Sequence, residues 1–451
     1  MQIRPKMTLE QYAALLADEV GAPLTTEQLP IRCCLGRVLA SDQTALAAIP
    51  PFTNSAMDGF AVRQADGCPL PIAFDIFAGD SPAPLPPGHA ARIMTGAPIP
   101  AGADTVVPIE DCDERDQLVS FTAPVRLGQH IRHVGEDLRP GDPVLSSGTT
   151  LLPQHLASAA SAGLTALTVV VPPTVAVVVT GDEVVADGQT KLGARRSIAV
   201  PSEDALDGMS CNPISSTCSG STPLDMGAAD RPSSVPQPVH EYFATLPSHI
   251  PDSNGPYLAA AIAGIGACPI MMFSPDDPSA LQAALDEAAR QAQLIIVTGG
   301  ASAGDRDVAR DVLSDAGCQF VHVAMQPGKP QGHGTWQGVP VFALPGNPVS
   351  VAVSWTMLIR PAINAWLGCT PAPTRWGIAT QGWTTPDGRC QLMPVALSYD
   401  EDGRTLVRPA AALGSGSHLI GSLARAQALA VVPAEVERVQ AGDALRIVDL
   451  N

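Results

Sequence analysis

TVAVVVTGDEV, residues 174–184, decides how the chain is built. Its run 175–180 is apolar or β-branched without alternation, the pattern of a strand covered on both faces, and such strands belong to helix-flanked parallel sheets. Gly181 then lets the chain turn, and Asp182 and Glu183 are presented beyond the strand end. Downstream the pattern alternates: a helix near 256–264, a strand over 269–273, a helix from Pro278, a strand over 294–298 and a helix over 307–316. Strands over 320–323 and 341–344 and a long closing helix over 349–367 complete one α/β domain. Upstream, Pro172 and Pro173 split the apolar run 164–179 into two strands, so it does not read as one membrane helix.

The flanks read differently. Residues 34–139 are rich in Pro and Gly, with short β-prone runs such as 71–77 and 105–108, which predicts a β-rich module. After Thr370, runs at 391–397, 405–408, 428–432 and 444–448 alternate with turn signals and predict a small C-terminal β-domain. At the start, Thr8 with Gln11 reads as a capping box opening an amphipathic helix. The Ser-, Pro- and Gly-rich tract 193–249 has neither helical nor strand period and reads as a surface loop.

Composition narrows the function. At 451 residues the chain is expected to hold two to four domains. A formal net charge of −18 opposes nucleic acid and anionic lipid, so an anionic ligand needs a local pocket of cations and backbone N–H groups. The ten cysteines are scattered, with no C-x-x-C, and no export signal is visible in residues 1–20, so a reduced, cytoplasmic protein is expected. No GxxxxGK[ST], strand-to-helix GxGxxG, G-x-S-x-G or H-E-x-x-H occurs, which leaves P-loop, dinucleotide, acyl-transfer and zinc-protease chemistry without support.

Candidate residues gather where predicted strands end, the place where ligands bind in open parallel sheets. The TGDE turn offers Glu183, with Asp182 read equally as a turn residue. TGGASAGDRD, residues 298–307, offers a Gly-rich backbone, the Ser302 hydroxyl and Asp307, with Asp305 read equally as a helix cap. In LPGNPVS, residues 344–350, Pro345 and Pro348 stiffen a corner before a helix. In SPDDP, residues 274–278, Asp277 suits capping, and Asp276, free of that duty, suits a metal or catalysis. Lys329, in MQPGKP, supplies a point charge for an oxyanion.

PPFTNSAMDGFAV at 50–62, IMTGAPIPAGADTVVPIE at 93–110, IRHVGEDL at 131–138, the TGDE turn, IPDSNGPYL at 250–258, the GG-x-S-x-GD-x-D loop, PGKP and LPGNPVS resemble, in order, motifs of the molybdopterin molybdenumtransferase family, related to the C-terminal domain of gephyrin. The resemblance spans the chain except 193–249. It implies an α/β multidomain fold: a molybdopterin-binding-type α/β domain plus a β-rich inserted domain, a linking domain and a C-terminal β-barrel. Placed on this chain, these are an N-terminal helix at 1–23, a linking domain at 24–41 and 140–171, the inserted domain at 42–139, the α/β domain at 172–372 and the barrel at 373–451.

The resemblance also implies the activity, insertion of molybdate into adenylylated molybdopterin with release of AMP, and a site. Asp58, Asp137, Glu183, Asp276 and Asp307 fall on its acidic positions. Glu183, Asp276 and Asp307 would hold Mg²⁺. Thr95, Ser302, Lys329, Pro345, Pro348, Arg389 and Ser417 would bind substrate. A homodimer with subunit-shared clefts is implied, as are molybdopterin adenylyltransferase and downstream cofactor-maturation proteins as partners, with no nucleic acid or membrane. Gln326 stands where the family often has lysine, which removes one cation and predicts weaker molybdate binding. Two other readings compete: an adenylyltransferase, which leaves 50–62 and 131–138 unexplained, and a non-catalytic scaffold, which the retained carboxylates argue against.

Overall fold

Five stretches, residues 4–21, 24–185, 249–299, 308–411 and 414–450, are described by the structure, a computed structural model. The predicted tract 193–249, apart from His249, and the loop residues Ser302, Asp305 and Asp307 lie outside the described residues. The chain divides into two units, one of residues 26–170 and one of residues 1–25 with 171–451.

In the larger unit a seven-stranded sheet carries the site. In spatial order its strands are Arg4–Met7, Gln319–Val323, Pro330–Trp336, Val339–Leu344, Leu294–Thr298, Thr174–Thr180 and Cys268–Ser274. The Val-rich strand Thr174–Thr180 lies inside the sheet, next to its edge strand, pairing in parallel with Cys268–Ser274 on one side and with Leu294–Thr298 on the other. Register runs from Thr174 opposite Cys268 to Thr180 opposite Ser274, and Thr298 stands opposite both Val179 and Leu344, so the strand ends form one edge. The helix Pro278–Gln291 starts where its sequence says it should: Asp277 Oδ1 accepts the Ala280 N–H at 2.8 Å, and Pro278 fills the first position. Its buried Leu281, Leu285 and Ala288 pack on Ala176, Val178, Ile295 and Val297 of the sheet. Each such leucine is worth roughly 1.5–3 kcal/mol of burial.

Two details depart from the sequence reading. Pro330–Trp336 is an additional strand, antiparallel to both neighbours, which makes the sheet mixed. The expected closing helix is Pro348–Ser354 and Arg360–Trp366 joined by a π turn, Trp355–Ile359, in which the Arg360 N–H reaches the Trp355 carbonyl. Pro361, which has no N–H to donate, follows that widened turn. The capped N-terminal helix Leu9–Glu19 packs against this composite helix.

Beyond it, Cys390–Tyr399, Thr405–Pro409, Arg375–Ala379, Ala444–Asp449 and Ala428–Val432 pair in turn, and the last pairs back with the first. The result is a closed five-stranded barrel filled by Met393, Val395, Val407, Ala430 and Ile447. A short strand of the α/β domain, Met325–Gln326, adds in parallel to the barrel strand Cys390–Tyr399.

In the smaller unit a six-stranded sheet runs Thr105–Pro108, Gly59–Val62, Ala90–Ile93, Leu70–Ile76, Leu118–Phe121 and Cys112–Arg115. Both faces are covered: Ala61, Ala91, Ile93 and Val106 pack on one side, Phe60, Val62, Ala90 and Val107 on the other. A separate cluster of Leu39, Leu145, Leu151, Leu167 and Val169 packs the helix Pro153–Ser161 and the paired strands Thr26–Pro30 and Ala166–Val170. Among the described residues no helix is long and apolar enough to cross a membrane.

Candidate active site

The turns that follow the parallel strands meet at one edge of the larger sheet, and they can do so because two glycines leave room. A Cβ on Gly299 would lie 2.5 Å from Thr180 Oγ1, and Gly299 has φ of +112°. A Cβ on Gly346 would lie 3.3 Å from the Gly299 Cα, so the ends of three strands close together. Asn254, of the IPDSN motif, ties them: its Nδ2 donates to Thr298 Oγ1 at 2.9 Å and to the Gly346 carbonyl at 2.8 Å.

This edge opens into a cavity of about 680 Å³. Seven residues singled out in the sequence line it: Glu183, Gln326, Lys329, Pro345, Pro348, Arg389 and Ser417. Arg389 reaches it from the residue before the barrel strand, and its Nη1 donates to Gln326 Oε1 at 2.8 Å. Ser417 comes from a barrel loop; its hydroxyl accepts from Asn347 Nδ2 at 3.2 Å, and its carbonyl accepts the Val349 N–H at 3.3 Å. Asn347 therefore spends its side chain on the barrel loop instead of capping the helix that follows. Burial pushes the Cys390 thiol up to about 11, with Glu10 adding to the rise, so the thiol next to Arg389 is protonated at neutral pH and is a poor nucleophile.

Asp276 is not among the residues lining the cavity. Asp182 and Asp276 hold each other: the Asp276 N–H donates to Asp182 Oδ1 at 3.0 Å, and the Asp182 N–H to Asp276 Oδ2 at 3.4 Å. Asp276 thus has a local duty that the sequence reading denied it. Burial raises its carboxyl above the ordinary range, and the charges of Asp182 and Glu183 raise it further, while the backbone bond from Asp182 opposes them.

Asp58, Asp137 and Thr95 belong to the smaller unit, and all three are exposed. Asp58 precedes Gly59, where a Cβ would sit 2.0 Å from the Val107 carbonyl oxygen, so the DG pair presents the carboxylate where two strands come too close for a side chain. Asp58 Oδ1 accepts both the Thr95 hydroxyl and the Thr95 N–H, each at 2.6 Å. Those bonds, the hydroxyl's first, hold its carboxyl below the usual range. Asp137 follows a separate turn, its N–H donating to the Ile49 carbonyl. Ser302 and Asp307 are outside the described residues.

Sequence reasoning missed Ser350, Ser415 and His418, which also line the cavity. Ser350 lay in a quoted motif, LPGNPVS, but small hydroxyls in a buried helix give no signal of their own. The loop GSGSH, residues 414–418, carried one as a dense run of small residues between predicted strands.

Fold and cavity together define an α/β protein with a polar cavity at the carboxyl ends of its parallel strands, the place where such sheets bind ligands, and with residues from a β-barrel in its lining. Known proteins agree. Residues 7–163 match the family model described as MoeA N-terminal region (domain I and II), residues 176–365 that of a probable molybdopterin binding domain, and residues 377–450 that of the MoeA C-terminal region (domain IV). The chain is 34% identical to molybdopterin molybdenumtransferase 2 of Mycobacterium tuberculosis over 98% of its own length and 100% of that protein's. It is 30% identical to the molybdopterin molybdenumtransferase of Synechococcus elongatus over 96% of each. The crystal structure of a molybdopterin biosynthesis protein of Pyrococcus horikoshii OT3 shares the fold, with a TM-score of 0.72 at 23% identity over 99% of this chain and 100% of the other. The chain belongs to the molybdopterin molybdenumtransferase family, transferases of molybdenum-cofactor biosynthesis.

Proposed function

We propose that the chain inserts molybdate into adenylylated molybdopterin and releases AMP. The observation that carries this reading is that one cavity brings together two cations, Lys329 and Arg389, and two carboxylates, Glu183 and Asp252, in a chain of net charge −18. The cations give an oxyanion a local foothold in an otherwise acidic molecule, and the carboxylates give a metal ion one beside it. Lys329 acts on molybdate as a point charge and Arg389 as a fork of donors, with Ser417 and Ser302 adding hydroxyls. Pro345 and Pro348 stiffen the wall between them. In the reaction water attacks phosphorus, the anhydride P–O bond breaks and AMP leaves. The two dithiolene thiols bind molybdenum through sulfur and pass their two protons to one oxide ligand, which leaves as water.

The carboxylates suit Mg²⁺. This ion takes one or two carboxylates and otherwise waters and phosphate oxygens, so it needs no protein cage. Among the described residues no group of three acidic or His/Cys side chains is gathered for a metal, but Glu183 raises the Asp276 carboxyl electrostatically, a repulsion that a divalent cation would relieve. Glu183 and Asp276, with Asp307, would hold it, and bound there it would neutralise phosphate oxygens. Asp58, oriented by Thr95, and Asp137 supply the carboxylates that position water. We further assign a homodimeric, cytoplasmic protein that receives its substrate from molybdopterin adenylyltransferase and passes product to maturation proteins. Incubation with adenylylated molybdopterin, Mg²⁺ and molybdate tests the activity: AMP release that depends on molybdate is expected, and AMP release indifferent to molybdate overturns it.

A further inference from the structure

Behind the cavity wall runs a chain of three side chains that the reading above does not use. The Trp383 indole N–H donates to Gln391 Oε1 at 2.9 Å, and Gln391 Nε2 donates to Ser415 Oγ at 3.1 Å. Gln391 is 4% exposed and Ser415 8%, while Trp383 is half-buried and does not line the cavity. Ser415 does line it.

The direction of these bonds is forced. An indole N–H only donates, so it fixes the oxygen of the Gln391 amide on its own side and turns the NH₂ toward Ser415. The Ser415 oxygen therefore accepts, and its hydroxyl hydrogen must go elsewhere. We propose that Trp383–Gln391–Ser415 is a one-way hydrogen-bond relay that aims the Ser415 hydroxyl hydrogen into the cavity as a donor to the bound oxyanion. Ser415 is then a binding residue, and Gln391 and Trp383 are positioning residues. Without the indole the amide is free to turn over, and its oxygen then accepts the Ser415 hydrogen and takes it from the ligand.

The inference rests on the oxyanion reading of the cavity, and the test separates the two. Molybdate binding to the full-length protein is measured by titration calorimetry, with AMP binding and thermal unfolding alongside. Trp383→Phe, Gln391→Met, which keeps length and removes the amide, and Ser415→Ala are each expected to weaken molybdate about tenfold while leaving AMP affinity unchanged. Trp383→Phe combined with Ser415→Ala should bind molybdate no worse than Ser415→Ala alone, because the indole acts only through the hydroxyl. A general loosening of the barrel would make these losses add and would weaken AMP equally, and either result overturns the relay. Unchanged molybdate affinity in both Trp383→Phe and Gln391→Met does the same. If Lys329→Ala also leaves molybdate binding intact, the cavity is no oxyanion site, and that reading fails together with the relay.

Discussion

Thr95 gives both its hydroxyl and its N–H to a single oxygen of Asp58, each at 2.6 Å. Two donors on one carboxylate oxygen stabilise the ionised form, and the hydroxyl is the larger cause of the lowered carboxyl pKa. Thr95→Val keeps the shape and removes the hydroxyl, so the Asp58 titration should move up toward the ordinary carboxylate range. Because a lowered carboxyl supports the fold above its unfolded pKa and loses that support as pH falls through the folded one, acid unfolding should begin at slightly higher pH in the variant. Carbon-detected NMR of the aspartate carboxyls reads the shift directly, and an unmoved Asp58 resonance would show that the hydroxyl does not matter.

Asp276 has the opposite sign. Its carboxyl is raised, chiefly by burial, so ionisation as pH rises through the folded value costs stability that is fully present below the unfolded value. Asp276→Asn should therefore raise the melting temperature at pH 7 without divalent ions, on the order of 1–2 °C, and should lose molybdate-dependent AMP release. Mg²⁺ should raise the melting temperature of the natural protein more than that of the variant. A variant that melts lower in the absence of Mg²⁺ would mean that the bond with Asp182 outweighs the repulsion.

How far the sequence could be read depended on where each signal was stored. The strand Thr174–Thr180, the capped helix Pro278–Gln291 and the Leu9–Glu19 helix are written locally, in valines, Asp277-Pro278 and the Thr8/Gln11 pair, and the structure repeats them. Pro330–Trp336, PQGHGTW, has no apolar alternation because its buried side chains Gln331 and His333 are polar and find partners that include residues remote in sequence. Gln331 donates to the Gly328 carbonyl and to Ser354 Oγ, and His333 pairs with Glu19. Only tertiary structure makes such residues buried. The same holds at the site: Glu183, Lys329 and Pro345 stood in recognisable turns, whereas Gln391 and Ser415 matter through partners remote in sequence.

Gly59 is legible only as part of a motif, yet its reason is steric. Gly59→Ala would put a methyl 2.0 Å from the Val107 carbonyl oxygen and force the Gly59–Val62 and Thr105–Pro108 strands apart. Overpacking of this kind costs about 1–3 kcal/mol, and here the clash is with backbone that has no rotamer to change. Calorimetry should show the smaller unit unfolding earlier while the larger one keeps its transition. A variant that melts with the natural protein would show that the pair has slack.

The Gln326 amide oxygen accepts from Arg389 Nη1 at 2.8 Å, and both residues line the cavity. The amide holds the guanidinium without neutralising it, so both Lys329 and Arg389 remain available to the proposed oxyanion. Gln326→Glu keeps the side-chain shape and strengthens the bond to Arg389, but it converts a free cation into an ion pair. Molybdate affinity should fall at least about tenfold, the scale of one charge-assisted contact, although the fold is unchanged. Gln326→Lys does the reverse to the charge and breaks the tether: a third cation enters, and Arg389 loses its acceptor. Probes of equal shape and different charge separate these effects. For molybdate, a dianion, added charge should win and binding should tighten; for perrhenate, a monoanion of similar size, the gain should be roughly half as large on a logarithmic scale, since Coulomb attraction scales with ligand charge. Rising salt should shrink the difference. Equal changes for the two anions, or tighter molybdate binding in Gln326→Glu, would show that Gln326 does not set the charge of this pocket.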